Sequence, residues 1–181
     1  MCKIIVKIEL LSDWHCGSGL SAGADLDALS IKDELGFPFI PGKTIKGLLH
    51  EAAKVVSKDT AIINEIFGVA TNRENSDKEI IEKGKCYFSN AELSKKVKES
   101  AKDKTELLFR KISSTKIDKK GIAEEHSLRR MEVAVPLSLY AEIADVPKEA
   151  KEVILKAIKY IKRLGTNRNR GLGRCVITEV K

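Results

Sequence analysis

Apolar and polar residues alternate at the start of the chain and recur at helical spacing in two later segments. Residues 3–11 read Lys-Ile-Ile-Val-Lys-Ile-Glu-Leu-Leu, an alternation that predicts the first strand of a half-buried sheet. Apolar residues recur every three or four positions from about Lys43 to Ser57, after the rigid turn Gly36–Gly42. The same spacing runs from Pro147 to about Leu164, with Gly165 as a stop signal. Both segments are therefore predicted to be amphipathic helices.

Shorter patterns complete the order of elements. They predict a second helix over Thr60–Phe67 and further strands over Lys85–Ala91, Arg110–Ile117, Met131–Ile143 (as a pair, or as one strand interrupted at Pro136) and Gly173–Val180. The resulting order β-α-β-β-α-β predicts an α+β, ferredoxin-like sandwich. Residues 1–181 are interpreted as one domain, with residues 69–84, 92–108 and 117–131 as insertions. The charged stretch 94–106 is expected to be solvated.

Composition narrows the class of protein. The 181 residues are 43% hydrophobic and 33% charged, which excludes a disordered chain. No apolar run approaches the roughly 20 residues of a membrane-spanning helix, and the start of the sequence lacks the apolar stretch of a signal peptide, so a cytoplasmic protein without a membrane partner is expected. The four cysteines have no metal-ligand spacing and are interpreted as small buried or half-buried thiols: Cys2, Cys16, Cys86 and Cys175.

Charge indicates a polyanionic partner. The formal net charge is +7 and the isoelectric point is near 9.2, a balance that suits binding to nucleic acid. Aromatic residues make up only 5% of the chain, too few for an extended base-stacking platform. Any RNA should therefore be held mainly through its phosphates.

The helix after Pro41 carries a basic face. Lys43, Lys46, His50 and Lys54 fall together on the side opposite the apolar stripe. One interpretation is an ordinary solvated lysine face. The other is an anion site, because these lysines begin where the helix N-terminus offers free backbone N–H groups.

A second basic segment lies near the C-terminus. From Lys159 to Arg174 there are six basic residues and no acid, and the turn from Gly165 to Arg174 contains three glycines. Glycines let the backbone approach a ligand closely, and arginines can fork onto phosphate oxygens. The alternative is a flexible basic turn that joins a helix to a strand.

These segments belong to an ordered set of motifs along nearly the whole chain: His15–Gly19, Phe37–Gly47, Ile66–Gly68, Cys86–Ala91, Ile117–Ala123 and Arg168–Arg174. The set resembles the RAMP superfamily of CRISPR-associated proteins, and is most similar to the repeated backbone subunit of type III effector complexes. The resemblance implies an RRM-like fold with a C-terminal Gly-rich loop and a thumb within 117–131. It also implies that CRISPR RNA, target RNA and other RAMP subunits stacked head to tail are the partners.

The resemblance further implies roles for individual residues. The residues expected to bind RNA are Lys43, Lys46, Arg168, Arg170 and Arg174, with Arg129 and Arg130 beside the thumb. Asp27 occupies the place of the family's catalytic aspartate, with Asp25 as its alternate, and would orient Mg²⁺ or a substrate 2′-hydroxyl for attack on the adjacent phosphate. A solvated loop acid is the plain alternative.

Three other functions stay open. Some relatives process CRISPR RNA without metal, using a histidine as general acid or base, and the candidates here are His15, His50 and His126. The second alternative is a scaffold that binds guide RNA and does not cut, and the third is a protein–protein adaptor with an incidentally basic surface.

Overall fold

The computed structural model describes residues 1–23, 25–69 and 82–180. Its strands are β1 (Cys2–Leu10), β2 (Gly68–Val69), β3 (Glu82–Lys83), β4 (Tyr87–Phe88), β5 (Glu92–Leu93), β6 (Phe109–Ser114), β7 (Arg129–Ala134), β8 (Ser138–Val146) and β9 (Cys175–Val180). Its α-helices are α1 (Gly42–Val56), α2 (Thr60–Phe67), α3 (Lys95–Ala101) and α4 (Lys151–Tyr160), and a 3₁₀ helix covers Thr105–Leu108. The predicted bounds of the second helix and of the first strand are confirmed to within one residue.

The central sheet is antiparallel throughout and has the order β4-β8-β1-β9, with β5 pairing β8 beside β4. Side chains of β1 alternate between its two faces, since Ile4, Val6 and Ile8 are buried while Lys7 and Glu9 lie on the other side. Helices α1 and α4 cover the buried face and pack against each other. The opposite side, the open sheet face, is left uncovered by helices in the described ranges. The fold is thus a mixed α+β arrangement with antiparallel sheets, as expected.

Helix α1 starts where glycine is required. A Cβ at Gly42 would overlap the carbonyl oxygen of Phe88, and the Gly42 N–H donates to Oδ1 of Asn90 at 2.9 Å. The helix therefore begins directly against the strand β4. Its apolar stripe, including Ile45 and Leu49, packs into the core, as the periodicity predicts.

The last helix is shorter than predicted. Its apolar periodicity extends from Pro147 to Leu164, yet α4 covers Lys151–Tyr160 only. The chain turns into an extended conformation at Ile161. Leu164 N–H then donates to Gly173 O at 2.9 Å, so the end of the periodic segment joins the base of the C-terminal loop rather than the helix.

The insertion predicted over 92–108 as a loop is ordered secondary structure, while the stretch expected to be solvated is largely exposed, with no buried residue in α3. The insertion holds β5, α3 and the 3₁₀ helix. Ser94 caps α3 by accepting the N–H of Val97 at 3.4 Å. Lys98 Nζ lies 2.9 Å from carboxylate oxygens of both Asp33 and Glu92, which ties the helix to the main body.

The segment Met131–Ile143 is two strands in two different sheets. Strand β7 pairs with β6 in a separate hairpin, while β8 enters the central sheet. Residues 117–128 form the end of this hairpin, where Ile117 pairs with Ala123, and Arg129 and Arg130 already belong to β7. The insertion predicted over 69–84 lies largely outside the described residues, although β2 and β3 pair at its two ends. Within the described ranges, every helix is too short or too polar to cross a membrane.

Candidate nucleic-acid interface

The two basic segments meet at one cleft. The helix-side cleft, as we call it, has a volume of about 330 Å³, and its walls include Lys43, Thr44, Thr166 and Arg168. Residues 15–18 form its third side. No local pattern in the sequence places these stretches near one another, and the fold brings them together.

Glycines of the C-terminal loop allow this contact. Gly165 has a φ of +81°, and a Cβ there would overlap the carbonyl oxygen of His15. The same oxygen accepts the N–H of Thr166 at 2.8 Å. At the other end of the loop Gly173 has a φ of +66°, its N–H donates to Asp13 O at 2.7 Å, and a Cβ would overlap the carbonyl oxygen of Leu164. The loop is therefore docked tightly on residues 13–15 and is not a flexible turn.

Arg168 and Lys43 supply positive charge to the cleft from opposite sides. Nη2 of Arg168 lies 3.3 Å from Oε2 of Glu51, whose side chain is 69% exposed. Lys43 is exposed at the start of α1 and forms no ion pair with any described residue. The N–H of Gly42 is bonded to Asn90, so α1 offers fewer free N–H groups than its sequence indicates.

Other predicted phosphate-binding residues lie further out. Arg170 and Arg174 are exposed on the same loop, beyond the cleft walls. Lys46 projects from a different flank of α1, where it lies near His50 and Cys86. Burial lowers the pKa of His50, and the positive charges of Lys54 and Lys46 lower it further. The structure thus brings Lys43 to the cleft and leaves Lys46 and His50 outside it.

Both candidate aspartates lie at the base of the β6–β7 hairpin together with the predicted arginines. Asp27 N–H donates to Arg130 O at 2.8 Å, and Oδ2 of Asp27 accepts the Arg130 N–H at 2.7 Å. Oδ1 of Asp27 is 3.7 Å from the Arg129 guanidinium. Asp25 lies 2.6 Å from Nζ of Lys111 and 3.7 Å from the Arg130 guanidinium. We call this group of paired charges the hairpin base.

Ion pairing favours the charged form of Asp25 in the hairpin base. The hydrogen bond and charge of Lys111 hold the pKa of Asp25 below its usual range, with a further contribution from Arg130. Asp27 keeps a half-exposed carboxylate whose oxygens face two cationic or donor groups. In the described residues, no three His, Cys, Asp or Glu side chains converge to bind a metal ion. Asp27 alone fits Mg²⁺ only where water and RNA phosphates complete the coordination.

His15 is a buried member of the cleft wall. Its Nδ1 lies 2.7 Å from the carbonyl oxygen of Glu132 and 3.2 Å from Oγ of Ser30. Because a carbonyl oxygen only accepts, Nδ1 carries the hydrogen, and Nε2 faces Gly17 at the cleft. His126, in contrast, is exposed in the hairpin end with a φ of +57°.

Glu132 connects the hairpin to the candidate site, and sequence reasoning missed it. Its side chain binds Nζ of Lys32 at 2.9 Å and the N–H of Ser30 at 3.2 Å, while its carbonyl oxygen orients His15. It therefore connects the hairpin to the wall of the helix-side cleft. Its partners lie about a hundred positions away along the chain, and no local pattern marks it.

The cysteines have no reactive role in this site. Burial raises the pKa of Cys16 to about 12 and that of Cys175 to about 11. Thiols with such values are protonated at neutral pH and are poor nucleophiles. The expectation of buried or half-buried thiols is confirmed, since Cys16, Cys86 and Cys175 are buried and Cys2 is half-buried.

Comparisons with known proteins agree with the geometry. The model of the RAMP superfamily matches residues 7–176. The CRISPR system Cmr endoribonuclease Cmr4 of Pyrococcus furiosus is 33% identical over 85 residues, an alignment that covers 46% of this chain and 29% of that protein. This chain therefore aligns with less than a third of that relative's length.

Solved structures share the fold at low sequence identity. A chain of the type III-B Cmr-beta complex bound to cognate target RNA superposes with a TM-score of 0.72 at 13% identity, covering 99% of this chain and 97% of that one. A chain of the apo state of Cmr-beta gives a TM-score of 0.71 at 16% identity, with the same coverage. At these identities the likeness concerns the fold alone.

Proposed function

This chain belongs to the RAMP superfamily, and from that membership we propose that it is an RNA-binding subunit of a type III CRISPR effector complex. The observation that carries the proposal is the convergence of Lys43 and Arg168 on one cleft. The relative named as a Cmr endoribonuclease and the Cmr-beta complex bound to target RNA support the same role. CRISPR RNA, target RNA and neighbouring RAMP subunits stacked head to tail would be its partners, in the cytoplasm.

We include a ferredoxin-like core and a single RAMP domain in this proposal. The four strands β1, β4, β8 and β9 stand in the order β4-β8-β1-β9, with α1 after β1 and α4 after β8. That connectivity supports the β-α-β-β-α-β pattern expected of such a core. The β6–β7 hairpin would be the thumb, because it projects from this core with exposed aliphatic side chains at its end.

The cleft would hold RNA by its phosphates. Lys43 and Arg168 supply charge on two sides, and arginine offers a planar fork that matches phosphate oxygens. The glycines of the loop keep the backbone near the bound strand. Arg170, Arg174 and Lys46 would add longer-range attraction from their positions outside the walls. Such contacts are independent of sequence, which suits a guide whose bases must remain available for pairing.

Cleavage of target RNA is assigned to the hairpin base in this proposal. RNA carries its own nucleophile in the 2′-hydroxyl, so a positioned carboxylate can orient that hydroxyl toward the neighbouring phosphate. The Asp27 carboxylate is held rigidly by the Arg130 N–H. Mg²⁺, if bound there with water and RNA phosphates, would stabilise charge on the phosphate. Arg129 and Arg130 lie beside Asp27, where they can neutralise the same phosphate.

The histidine alternative has one specific observation in its favour. His15 presents Nε2 toward the helix-side cleft, while Nδ1 is fixed by Glu132. A ring held in this way can act as a general base on RNA lying in the cleft. His50 is less suited, because it packs 4.9 Å from the Phe67 ring and outside the cleft walls.

Salt-dependent binding tests the proposal. Wild type, Arg168→Ala and Lys7→Ala would be titrated with labelled single-stranded RNA at several salt concentrations. Lys7 is the control because it lies on the open sheet face, paired with Glu9 at 3.0 Å. Arg168→Ala should weaken binding of all sequences alike and reduce the salt slope by about 0.7, the share of one phosphate contact.

Two results would contradict the proposal. One is wild-type protein that does not bind RNA at moderate salt, which would favour an adaptor with an incidentally basic surface. The other is an equal loss for Arg168→Ala and Lys7→Ala, since a matching charge removed from the opposite face should not act through the cleft.

A cleavage assay distinguishes a metal-dependent nuclease that uses Asp27, a metal-independent nuclease that uses His15, and a scaffold that does not cut. Target RNA annealed to guide would be incubated with the assembled complex in Mg²⁺ and then in EDTA. Cuts at regular intervals that require Mg²⁺ would support Asp27, EDTA-resistant cuts would support His15, and the absence of cuts with RNA still bound would indicate a scaffold.

A further inference from the structure

A second groove opens directly beside the helix-side cleft. It has a volume of about 780 Å³ and lies between α1 and the segment that follows α4. We call it the α1–α4 groove. Leu48 and Arg168 line both depressions, so the two are continuous at the surface.

Positive charge dominates the α1–α4 groove. Four of its side chains are cationic, whereas its single carboxylate, that of Glu51, already faces Arg168 at 3.3 Å. The three remaining cations are exposed and form no ion pair within the described ranges: Lys159, Lys162 and Arg163. Cations that lack a partner in the fold are available to an external anion.

The backbone places two arginines opposite each other beside this groove. Arg163 and Arg174 pair across an antiparallel bridge. Flanking hydrogen bonds of 2.9 Å, from Leu164 N–H to Gly173 O and from Cys175 N–H to Lys162 O, hold them there. Like charges directly opposite one another destabilise a strand pair. A phosphate bound between these side chains would remove that repulsion.

An exposed aromatic ring completes the groove. Tyr160 ends α4 with 53% of its surface exposed, and Val55 of α1 opposite is 62% exposed. An aromatic side chain surrounded by cations is the arrangement on which bases of single-stranded nucleic acids stack. The other two exposed tyrosines, Tyr87 and Tyr140, line a separate depression and do not contribute to this groove.

We propose that the α1–α4 groove binds the nucleotides adjoining those in the helix-side cleft, on the same RNA strand. Tyr160 stacks on a base, and Lys162 and Arg163 contact phosphates, with Arg174 opposite Arg163. This inference rests on the proposed function and extends it to a defined path for the strand. The continuity at Arg168 sets the direction, from the start of α1 along the helix toward Val55.

RNA length provides the test. Oligouridines from about 4 to about 16 nucleotides, the span of single-strand binding sites, would be titrated at several salt concentrations. The variant Lys162→Ala/Arg163→Ala would be compared with Lys3→Ala/Lys7→Ala, which removes the same charge from the side of the sheet turned away from the helices, where both lysines pair with glutamates. The shortest RNA should bind the groove variant and wild type alike. For the longest RNA, the slope of log affinity against log salt concentration should be smaller by about 1.4 in the groove variant than in wild type, about 0.7 for each phosphate contact. The control variant should keep the wild-type slope.

Tyr160 gives an independent measurement. Tyr160→Ala should weaken binding of the longest RNA by about 5- to 160-fold, in the range of base–aromatic stacking, while Tyr160→Phe stays within about twofold because the ring remains. Circular dichroism of each variant would verify the fold. Retained affinity in Tyr160→Ala for the longest RNA would contradict stacking at this position.

The outcomes separate this inference from the proposed function. Equal binding of the longest RNA by wild type and the Lys162→Ala/Arg163→Ala variant would contradict RNA binding in the α1–α4 groove. It would not affect the proposal that the helix-side cleft binds RNA. A wild-type protein that binds no RNA of any length would overturn the proposed function itself. Polyglutamate that binds wild type but not the groove variant, with RNA affinity unchanged, would mean that the groove is a protein site and would also overturn the inference.

Discussion

The helix-side cleft and the hairpin base both concentrate charged residues, yet they differ in how those charges are used. At the hairpin base, the basic side chains of Lys111, Arg129 and Arg130 face the carboxylates of Asp25 and Asp27 at 2.6 to 3.7 Å. In the cleft, Lys43 has no ion-pair partner among the described residues. The carboxylate opposite Arg168 is that of Glu51, 69% exposed.

This difference separates two tasks. Lys43 has no ion-pair partner among the described residues and can take a phosphate at little cost, and Arg168 can exchange its exposed partner Glu51 for one, which suits the cleft to binding. Cations that hold carboxylates in place instead fix geometry, which suits the hairpin base to orienting a reacting group. Net charge alone does not distinguish the two regions. They differ in their internal carboxylates, since Asp25 and Asp27 face all three cations of the hairpin base, whereas at the cleft only Arg168 faces one, that of Glu51. Binding and cleavage should therefore be separable by mutation.

The largest effect should come from Gly173→Ala, which breaks the cleft by preventing its loop from docking. A Cβ at Gly173 overlaps the Leu164 carbonyl oxygen, and its φ is +66°. We expect the free energy of unfolding to fall by at least about 3 kcal/mol, from steric overlap added to backbone strain. Gly171→Ala is the matched control, because Gly171 has a φ of +96° with nothing within 4 Å of a Cβ. Gly171→Ala should lower the free energy of unfolding by only about 1 to 2 kcal/mol. Equal losses for the two variants in urea denaturation would contradict the claim that close packing at Gly173 holds the loop in place.

The next largest effect should come from Asp27→Ala, which acts on the hairpin base alone. Target cleavage should fall by about 100-fold or more, the range for loss of a positioned acid–base group, with RNA affinity within about twofold of wild type. Asp27→Asn keeps an oxygen that can accept the Arg130 N–H, so it separates charge from position. Unchanged cleavage in Asp27→Ala would remove this residue from the mechanism, and a loss confined to Asp25→Asn would transfer the role to Asp25.

A smaller effect should distinguish two lysines of the same helix. Lys43→Ala should weaken RNA binding by about 3- to 10-fold, as expected for one charge-assisted contact of roughly 1 kcal/mol. Lys46→Ala should have less effect, since Lys46 lies on the flank near His50 and not in the cleft wall. Fluorescence anisotropy at fixed salt gives both values. A greater loss for Lys46→Ala would move the RNA path to that flank.

The smallest effect concerns pH. Burial, followed by the charges of Lys54 and Lys46, lowers the pKa of His50 in the folded protein from the usual 6.5. The unfolded state therefore binds a proton more readily, so stability falls as the pH drops below about 6.5. Thermal denaturation from pH 8 to pH 5 should show a steeper loss for wild type than for His50→Gln. Parallel curves would mean that the pKa of His50 is not lowered in the folded protein.

The sequence predicted much of the fold because its signals are local. The alternation in β1 and the periodicity of α1 each depend on one face being buried, and both elements lie where expected. Local patterns gave the wrong secondary structure where hydrogen bonds between distant segments determine the conformation. Residues 161–164 continue the helical pattern, but Leu164 pairs with Gly173. The ordered helix α3 was missed because its exposed surface is charged, while Lys98 is held by Asp33 and Glu92.

The candidate site was predictable only in part. Lys43 and Arg168 were both selected, yet their contact across one cleft depends on the docking of the glycine loop on His15. Lys43 and Lys46 share one face in the helical pattern, but the neighbouring elements divide that face between the cleft and a second flank. The link through Glu132 joins segments far apart in the chain and has no local signal.

Photo-crosslinking of RNA containing 4-thiouridine, with the modified peptides identified by mass spectrometry, tests the central claim most directly. If the helix-side cleft holds the RNA backbone, crosslinks should fall on residues 41–48 and 159–174. Crosslinks confined to the open sheet face, at residues 3–9 and 138–142, would contradict the account.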